Sequence, residues 1–323
     1  MQREAKRILC AGIVVLDEVF RVEEFPPPDG KIEATEFMAI GGGNAANAAI
    51  TIARLGGAAR YAGPVGDDAA GDRILANLAR EKIDTRGCVR VTGTASPLSA
   101  IFVNARGERS IVTHRGRELS AALPVDSADV VQAVDGVLID NRMGVFARPI
   151  GTAARARGIP VVLDADKATT PDDPLLTIAT HAIFSSECLR QTVGCDDLGD
   201  AVGRIAARTG EFVGVTNGPG DLIWCEGGKL FRMPVFKIDA VDTLAAGDVF
   251  HGAFALALVE GSPIPDAMRF AAAAAGLKCT RFGGSATVPT RAEVEAFMRG
   301  RQRPALFSKR RRGLTPSTDL ART

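Results

Sequence analysis

The chain is poor in the residue types that mark several common functions. One tryptophan, one tyrosine and three histidines occur in 323 residues, and aromatic side chains make up only 5%. That leaves few platforms on which exposed bases could stack. Neither sign of charge dominates: 39 Lys and Arg face 38 Asp and Glu, a net charge of +1. A dedicated nucleic-acid binder is usually basic over its whole domain, so no nucleic-acid partner is expected. The six cysteines form no C-x-x-C pair, which speaks against a zinc site or a disulfide frame and for reduced thiols. The three histidines, His114, His181 and His251, lack metal-ligand spacing. No apolar run approaches the ~18 residues needed to span a bilayer. The opening MQREAKRILCAGIVVLDEVF lacks a cleavable signal pattern. A cytoplasmic protein with no membrane contact is expected. The sequence contains no G-x-x-x-x-G-K-[ST], and no G-x-G-x-x-G follows the first apolar run. Walker and Rossmann nucleotide loops are therefore not expected.

What the chain does have is 46% hydrophobic residues and 35 glycines. Its length suits one large α/β domain or two small ones, with a core that needs no cross-links. Residues 7–16, RILCAGIVVL, read as a buried first strand. Residues 18–40 alternate around Pro26-Pro27-Pro28-Asp29-Gly30, as two short strands outside the main sheet would. The stretch 98–114 reads as a hairpin about an Ala-Arg-Gly-Glu turn. From residue 130 onward apolar strands alternate with helical segments, the pattern of a parallel sheet covered on both faces. One α/β domain over 1–300 is expected. The tail 301–323 carries seven basic residues and one acid, and reads as a basic, disordered extension.

Two segments carry chemistry. In 239–259, DAVDTLAAGDVFHGAFALALV, small residues Ala245-Ala246-Gly247 open a helix at Asp248. Free N–H groups at such a helix start favour an anion, and an acid beside them could take a proton from a hydroxyl. An ordinary capped helix end would look the same. The second segment is Gly41-Gly42-Gly43-Asn44-Ala45-Ala46-Asn47. Its glycines allow close approach to the backbone, and Asn47 supplies donor and acceptor together, which suits a sugar. A glycine turn with an internal polar cap is the plain alternative.

In this order, and about 200 residues apart, the two segments resemble the PfkB (ribokinase-like) carbohydrate kinases. Asp17, Gly66-Asp67-Asp68, Thr216-Asn217-Gly218-Pro219-Gly220 and the late RFGGSATVP extend the likeness over roughly 7–298. The resemblance implies a three-layer αβα fold with a mainly parallel central sheet and a small β-sheet lid. The lid would be built from about 18–40 and 98–114. It further implies an ATP- and Mg²⁺-dependent kinase of a sugar hydroxyl. Asp248 would be the base, and Ala245, Ala246 and Gly247 would belong to the anion cradle. Asp17, Gly42, Gly43 and Asn47 would grip the sugar, while Thr216, Gly218, Gly220 and Gly284 would lie near ATP. Carbonyls around Asp242 and Leu244 would hold a monovalent cation such as K⁺, and the lid would mediate a homodimer. One departure concerns the metal. Where the family often has N-x-x-E, this chain reads Ser185-Ser186-Glu187-Cys188, which leaves Glu187 as the Mg²⁺ candidate.

Finer detail resembles ketose kinases. The start is like that of ketohexokinases, and GLKCTRFGG is like that of bacterial sulfofructose kinases. That likeness implies transfer to the 1-hydroxyl of a ketose such as 6-deoxy-6-sulfofructose, with Lys31 and Arg142 receiving the sulfonate. Fructose, ribose or another neutral sugar remains the alternative. A more distant one is a non-catalytic sugar sensor, which would require loss of the base or the cradle.

Overall fold

The computed structural model describes residues 4–301 and 306–310. In its first half the elements run β1 (Arg7–Ala11), β2 (Val15–Arg21), β3 (Glu36–Gly42), α1 (Asn44–Arg54), β4 (Ala58–Ala62), β5 (Pro64–Gly66), α2 (Ala69–Arg80), β6 (Val89–Val91), β7 (Leu98–Val103) and β8 (Arg109–His114). The middle holds α3 (Ser127–Val130), β9 (Gly136–Asp140), α4 (Gly144–Ala156), β10 (Val161–Ala165), α5 (Pro174–Ile178), β11 (His181–Ser185), α6 (Ser186–Val193), α7 (Leu198–Thr209) and β12 (Phe212–Thr216). The chain closes with β13 (Leu222–Glu226), β14 (Lys229–Met233), α8 (Ala246–Val259), α9 (Ile264–Cys279), α10 (Arg291–Arg299) and β15 (Phe307–Arg310).

A nine-stranded sheet, ordered β15-β14-β13-β12-β11-β10-β9-β1-β4, forms the middle layer. Strands β4, β1, β9, β10, β11 and β12 are parallel, and β13 to β15 continue the sheet antiparallel. The parallel strands are apolar on both sides because helices cover both faces. In β1, Ile8 and Cys10 enter one core, and Leu9 and Ala11 enter the other. The first core is closed by α1, α8 and α9, the second by α4, α6 and α7. Alanine and glycine let the first set pack closely. A methyl group on Gly252 of α8 would lie 2.7 Å from the main-chain oxygen of Ala48 in α1. That contact fixes the start of α8 beside the start of α1.

The run 7–16 is not one strand. The chain leaves the main sheet at Gly12 and enters a second sheet at Val15. The carboxylate of Asp140 causes the break: it accepts the Ile13 N–H at 2.6 Å and fills the space a side chain on Gly12 would need. The second sheet, ordered β3-β2-β7-β8, is the expected lid. Val19, Ile101 and Val103 on its inner face pack against Leu244 and Phe282. Part of the basic tail is also ordered. Residues 307–310 pair antiparallel with β14, whose open edge offers a row of unpaired peptide groups. Residues 302–305 and 311–323 lie outside the described residues.

Candidate active site

The sheet's C-terminal edge gathers the polar residues. The ends of β1, β9, β10, β11 and β12 deliver Gly12, Asp140, Asp164, Ser185 and Thr216 to one side of the parallel strands. This is where open α/β sheets place their ligands.

Asp248 lies in the first turn of α8, half-buried, and accepts a 2.7 Å hydrogen bond from Asn47 Nδ2. Val249 is the first residue of the helix whose N–H bonds back to Ala245 O, at 2.9 Å. The N–H groups of Gly247 and Asp248 precede that bond and have no main-chain acceptor among the described residues. A methyl group on Gly247 would meet nothing within 4 Å, so the cradle is open on that side. Ala245 caps the helix at φ 62°, a left-handed conformation that costs an alanine roughly 1 kcal/mol or more. The turn is held there by its surroundings, as strained backbone at functional sites commonly is.

The electrostatics suit a base. Burial pushes the Asp248 carboxyl up to about 7, and the charges of Asp164 and Asp166 push the same way, while the Asn47 bond pulls it down. A carboxylate with that affinity is half-protonated near neutral pH and well matched to receive a proton. Asp164 is fully buried and itself raised by burial, with the Asp166 charge adding to it. Asn44 Nδ2 donates to both acids, at 3.0 Å to Asp164 and 3.4 Å to Asp166. His251 packs under the same turn. Its Nδ1 lies 2.7 Å from Gly247 O and 3.5 Å from Asp164, and its Nε2 lies 3.2 Å from Ile183 O.

Asp17 projects from β2 on the lid's inner side and is 7% exposed. Burial raises its carboxyl to about 6, against a lowering bond from Ser99. Ser99 in turn shares a 3.1 Å hydroxyl contact with Thr113 of β8. The Asp17 carboxylate lies over Gly42 in the space a Cβ there would occupy. Gly43 caps α1 at φ 93°, and a Cβ on it would lie 2.6 Å from Ile13 O. Both glycines are demanded by close approach.

Thr216, Gly218 and Gly220 form the end of β12 and its turn, where Gly218 adopts φ 53°. Gly284, at φ 52°, packs against Ile40 and Leu244 and donates its N–H to Asp242 Oδ2 at 2.9 Å. Asp242 is buried and accepts Leu244 N–H at 2.8 Å. Glu187 is exposed in the first turn of α6 and bonded to Gln191. Among the described residues no three His, Cys, Asp or Glu side chains are grouped to hold a metal ion. Of the two cations expected to receive a sulfonate, Arg142 is paired with Asp166 through Nε at 2.7 Å. Lys31 is exposed in the loop before β3 and forms no ion pair among the described residues.

Sequence reasoning missed Asp140, Asp164, Asp166, Asn44 and Lys278. For the first two a signal existed: VDGVLID and PVVLDAD each place an acid at the end of a buried strand.

A family model described as pfkB family carbohydrate kinase matches residues 5–291. The chain belongs to the PfkB family. It is 30% identical over 296 residues to a ribokinase of Bacillus subtilis, covering 91% of this chain and 99% of the relative. Fructokinase-1 of Zea mays is 27% identical, over 81% and 89% of the two chains. Among solved structures, one assigned as a ribokinase in Agrobacterium tumefaciens superposes with a TM-score of 0.89 at 39% identity, over 92% and 98%. This PfkB chain is accordingly a sugar kinase, a phosphotransferase with an alcohol acceptor. No helix among its described residues is long and apolar enough to cross a membrane.

Proposed function

We propose that the protein transfers the γ-phosphoryl group of ATP to a primary hydroxyl of a sugar, with Asp248 as the base. The observation that carries this reading is the Asn47–Asp248 pair beside the free N–H groups of Gly247 and Asp248. The hydroxyl oxygen attacks the γ-phosphorus, and the bond from that phosphorus to the ADP oxygen breaks. Asp248 takes the hydroxyl proton. The free N–H groups face the negative oxygens of the group in flight, so positioning and charge stabilisation supply most of the acceleration. Thr216, Gly218, Gly220 and Gly284 line the nucleotide side. Mg²⁺ would neutralise phosphate charge. The phosphates would supply oxygen ligands for the ion, and Glu187 is the acid at the matching strand end.

Asp17, Asn47 and the backbone at Gly42 and Gly43 would grip the sugar hydroxyls under the lid. A neutral ketose or pentose is the favoured acceptor, because the Arg142 charge is already satisfied by Asp166. Relatives named ribokinase and fructokinase fit that class. A sulfonated ketose is the second reading. It rests on Lys31, a cation on the lid loop without an ion-pair partner among the described residues. Coupled ADP release across ribose, fructose, tagatose and 6-deoxy-6-sulfofructose separates the two. A neutral sugar is expected to give the highest kcat/KM. An advantage of ~100-fold for the sulfosugar, about 2.7 kcal/mol, would reverse the order, and no turnover with any sugar would remove the reading.

The lid's outer face supports a homodimer. Phe37 is 57% exposed and Val112 is 67% exposed, beside the Phe20–Phe102 stack at 5.6 Å. An apolar patch of this kind commonly marks an interface. Sedimentation at micromolar concentration should give two chains, and a monomer would contradict it.

A further inference from the structure

Lys278 is the most deeply buried cation in the described chain. It sits in the last turn of α9 with no solvent exposure. Long charged side chains are almost never fully buried unless paired, and the partner here is specific. The Lys278 ammonium donates to the main-chain oxygen of Asp242 at 2.9 Å and to its Oδ2 at 3.0 Å. That same carboxylate accepts the N–H groups of Gly283 at 3.1 Å and Gly284 at 2.9 Å, and its other oxygen accepts Leu244 N–H. One ion pair thus ties together the end of α9, the 281–284 turn and the 242–245 loop that leads into the Asp248 cradle. Burial lowers the Lys278 affinity for its proton, and the Asp242 charge acts against that. Burial alone would raise Asp242, yet the lysine charge and the N–H bonds leave it below the ordinary carboxylate range.

This is the place where the family resemblance leads one to expect a monovalent metal ion, held by oxygens around Asp242 and Leu244. The residues present do not fit such an ion. The carbonyl and carboxylate oxygens of Asp242 that it would need are already bound by an ammonium of the same charge. A second cation there would face Lys278 at close range in a buried site, where repulsion is poorly screened. An ammonium tethered to α9 supplies the same unit charge without being drawn from solution.

We propose that Lys278 is a built-in replacement for the monovalent cation, so that this kinase needs no K⁺. Lys278 is a positioning residue in this account. It touches neither substrate nor the transferring phosphoryl group, and acts by fixing the loop that presents the cradle. The inference rests on the kinase assignment, and the experiment separates the two.

The wild-type enzyme is assayed with Mg²⁺ and ATP at constant ionic strength, in KCl and in N-methyl-D-glucamine chloride. Thermal unfolding is followed in both salts. The expected kcat differs by less than twofold, and Tm is the same in both. Lys278→Ala should lose at least tenfold in the organic salt and recover part of that loss with K⁺ or NH₄⁺. Its Tm should rise on adding K⁺, an effect a purely structural lysine would not produce. Saturable activation of the wild type by K⁺ of more than twofold would overturn the proposal. So would a folded Lys278→Ala enzyme that works at the wild-type rate without K⁺. If the variant does not fold, the wild-type comparison decides alone. Absence of turnover in every salt would count against the sugar-kinase reading, and the K⁺ dependence of the wild-type Tm would still test the lysine.

Discussion

Replacing Asp248 by Asn is expected to lower kcat by about 10²–10⁴-fold and to raise the melting temperature at pH 8. The activity loss follows from removing the carboxylate placed beside the cradle to take the hydroxyl proton. The amide keeps the size of the side chain, and its oxygen can still accept the Asn47 bond of 2.7 Å. The effect should therefore appear in kcat with little change in KM for the sugar. The stability gain follows from linkage. The folded state holds the Asp248 proton up to about 7, whereas the unfolded carboxyl releases it near 3.8. Between those values the folded state binds more protons, so this group's contribution falls as pH rises through the window and stays low above it. Asn carries no charge at any of these pH values. Three pH units would correspond to about 4 kcal/mol. Asp248 is only half-buried, so solvent screening leaves an expected gain of about 1–2 kcal/mol, or roughly 2–6 °C in Tm. At pH 4 the gain should vanish. Activity within tenfold of wild type, or a lower Tm at pH 8, would count against Asp248 as a base strained by its burial.

Gly42→Ala should weaken the sugar grip and leave the fold intact. Gly42 lies at the end of β3 at an ordinary φ, so alanine brings no backbone strain there. Its Cβ would instead occupy the space of the Asp17 carboxylate. The carboxylate must swing away, and the sugar loses a hydrogen bond to an ionised group, worth about 1.5–3 kcal/mol. KM for the sugar is expected to rise by roughly 10–150-fold, with KM for ATP changed by less than about threefold. Asp17→Asn should move the same constant in the same direction. An unchanged sugar KM in both variants would place the acceptor elsewhere. By contrast, Gly43→Ala would combine a positive φ with a clash against Ile13 O, so its failure could not be told from misfolding.

The helix start at Asp248 was readable from the sequence because it is local. Three small residues before an acid at a helix start describe themselves within one turn, and the same holds for the glycines before Asn47. The layers were readable because β1 and β9 to β12 are apolar on both faces. What escaped was set by contacts across the fold. The break in 7–16 depends on Asp140, some 127 positions away, reaching the Ile13 N–H. The sequence could not tell a sulfonate contact at Arg142 from a structural salt bridge, because its partner Asp166 comes from the end of the next strand. Lys278 reads as one charge on an Ala-rich helix, and its meaning lies in Asp242, 36 positions earlier. The basic tail looked disordered by composition, yet the open edge of β14 takes up residues 307–310.

The pH dependence of kcat/KM for the sugar, at saturating ATP and Mg²⁺, tests the central claim most directly. With Asp248 as the base, kcat/KM is expected to rise tenfold per pH unit between about 6 and 7, more steeply below about 6 where Asp17 also gains a proton, and to stay flat from above 7 to pH 9. The residual activity of Asp248→Asn should lose the bend near 7 and keep the Asp17 limb below about 6. A wild-type profile flat from pH 5.5 to 8, or a bend near 7 that survives in Asp248→Asn, would contradict the account.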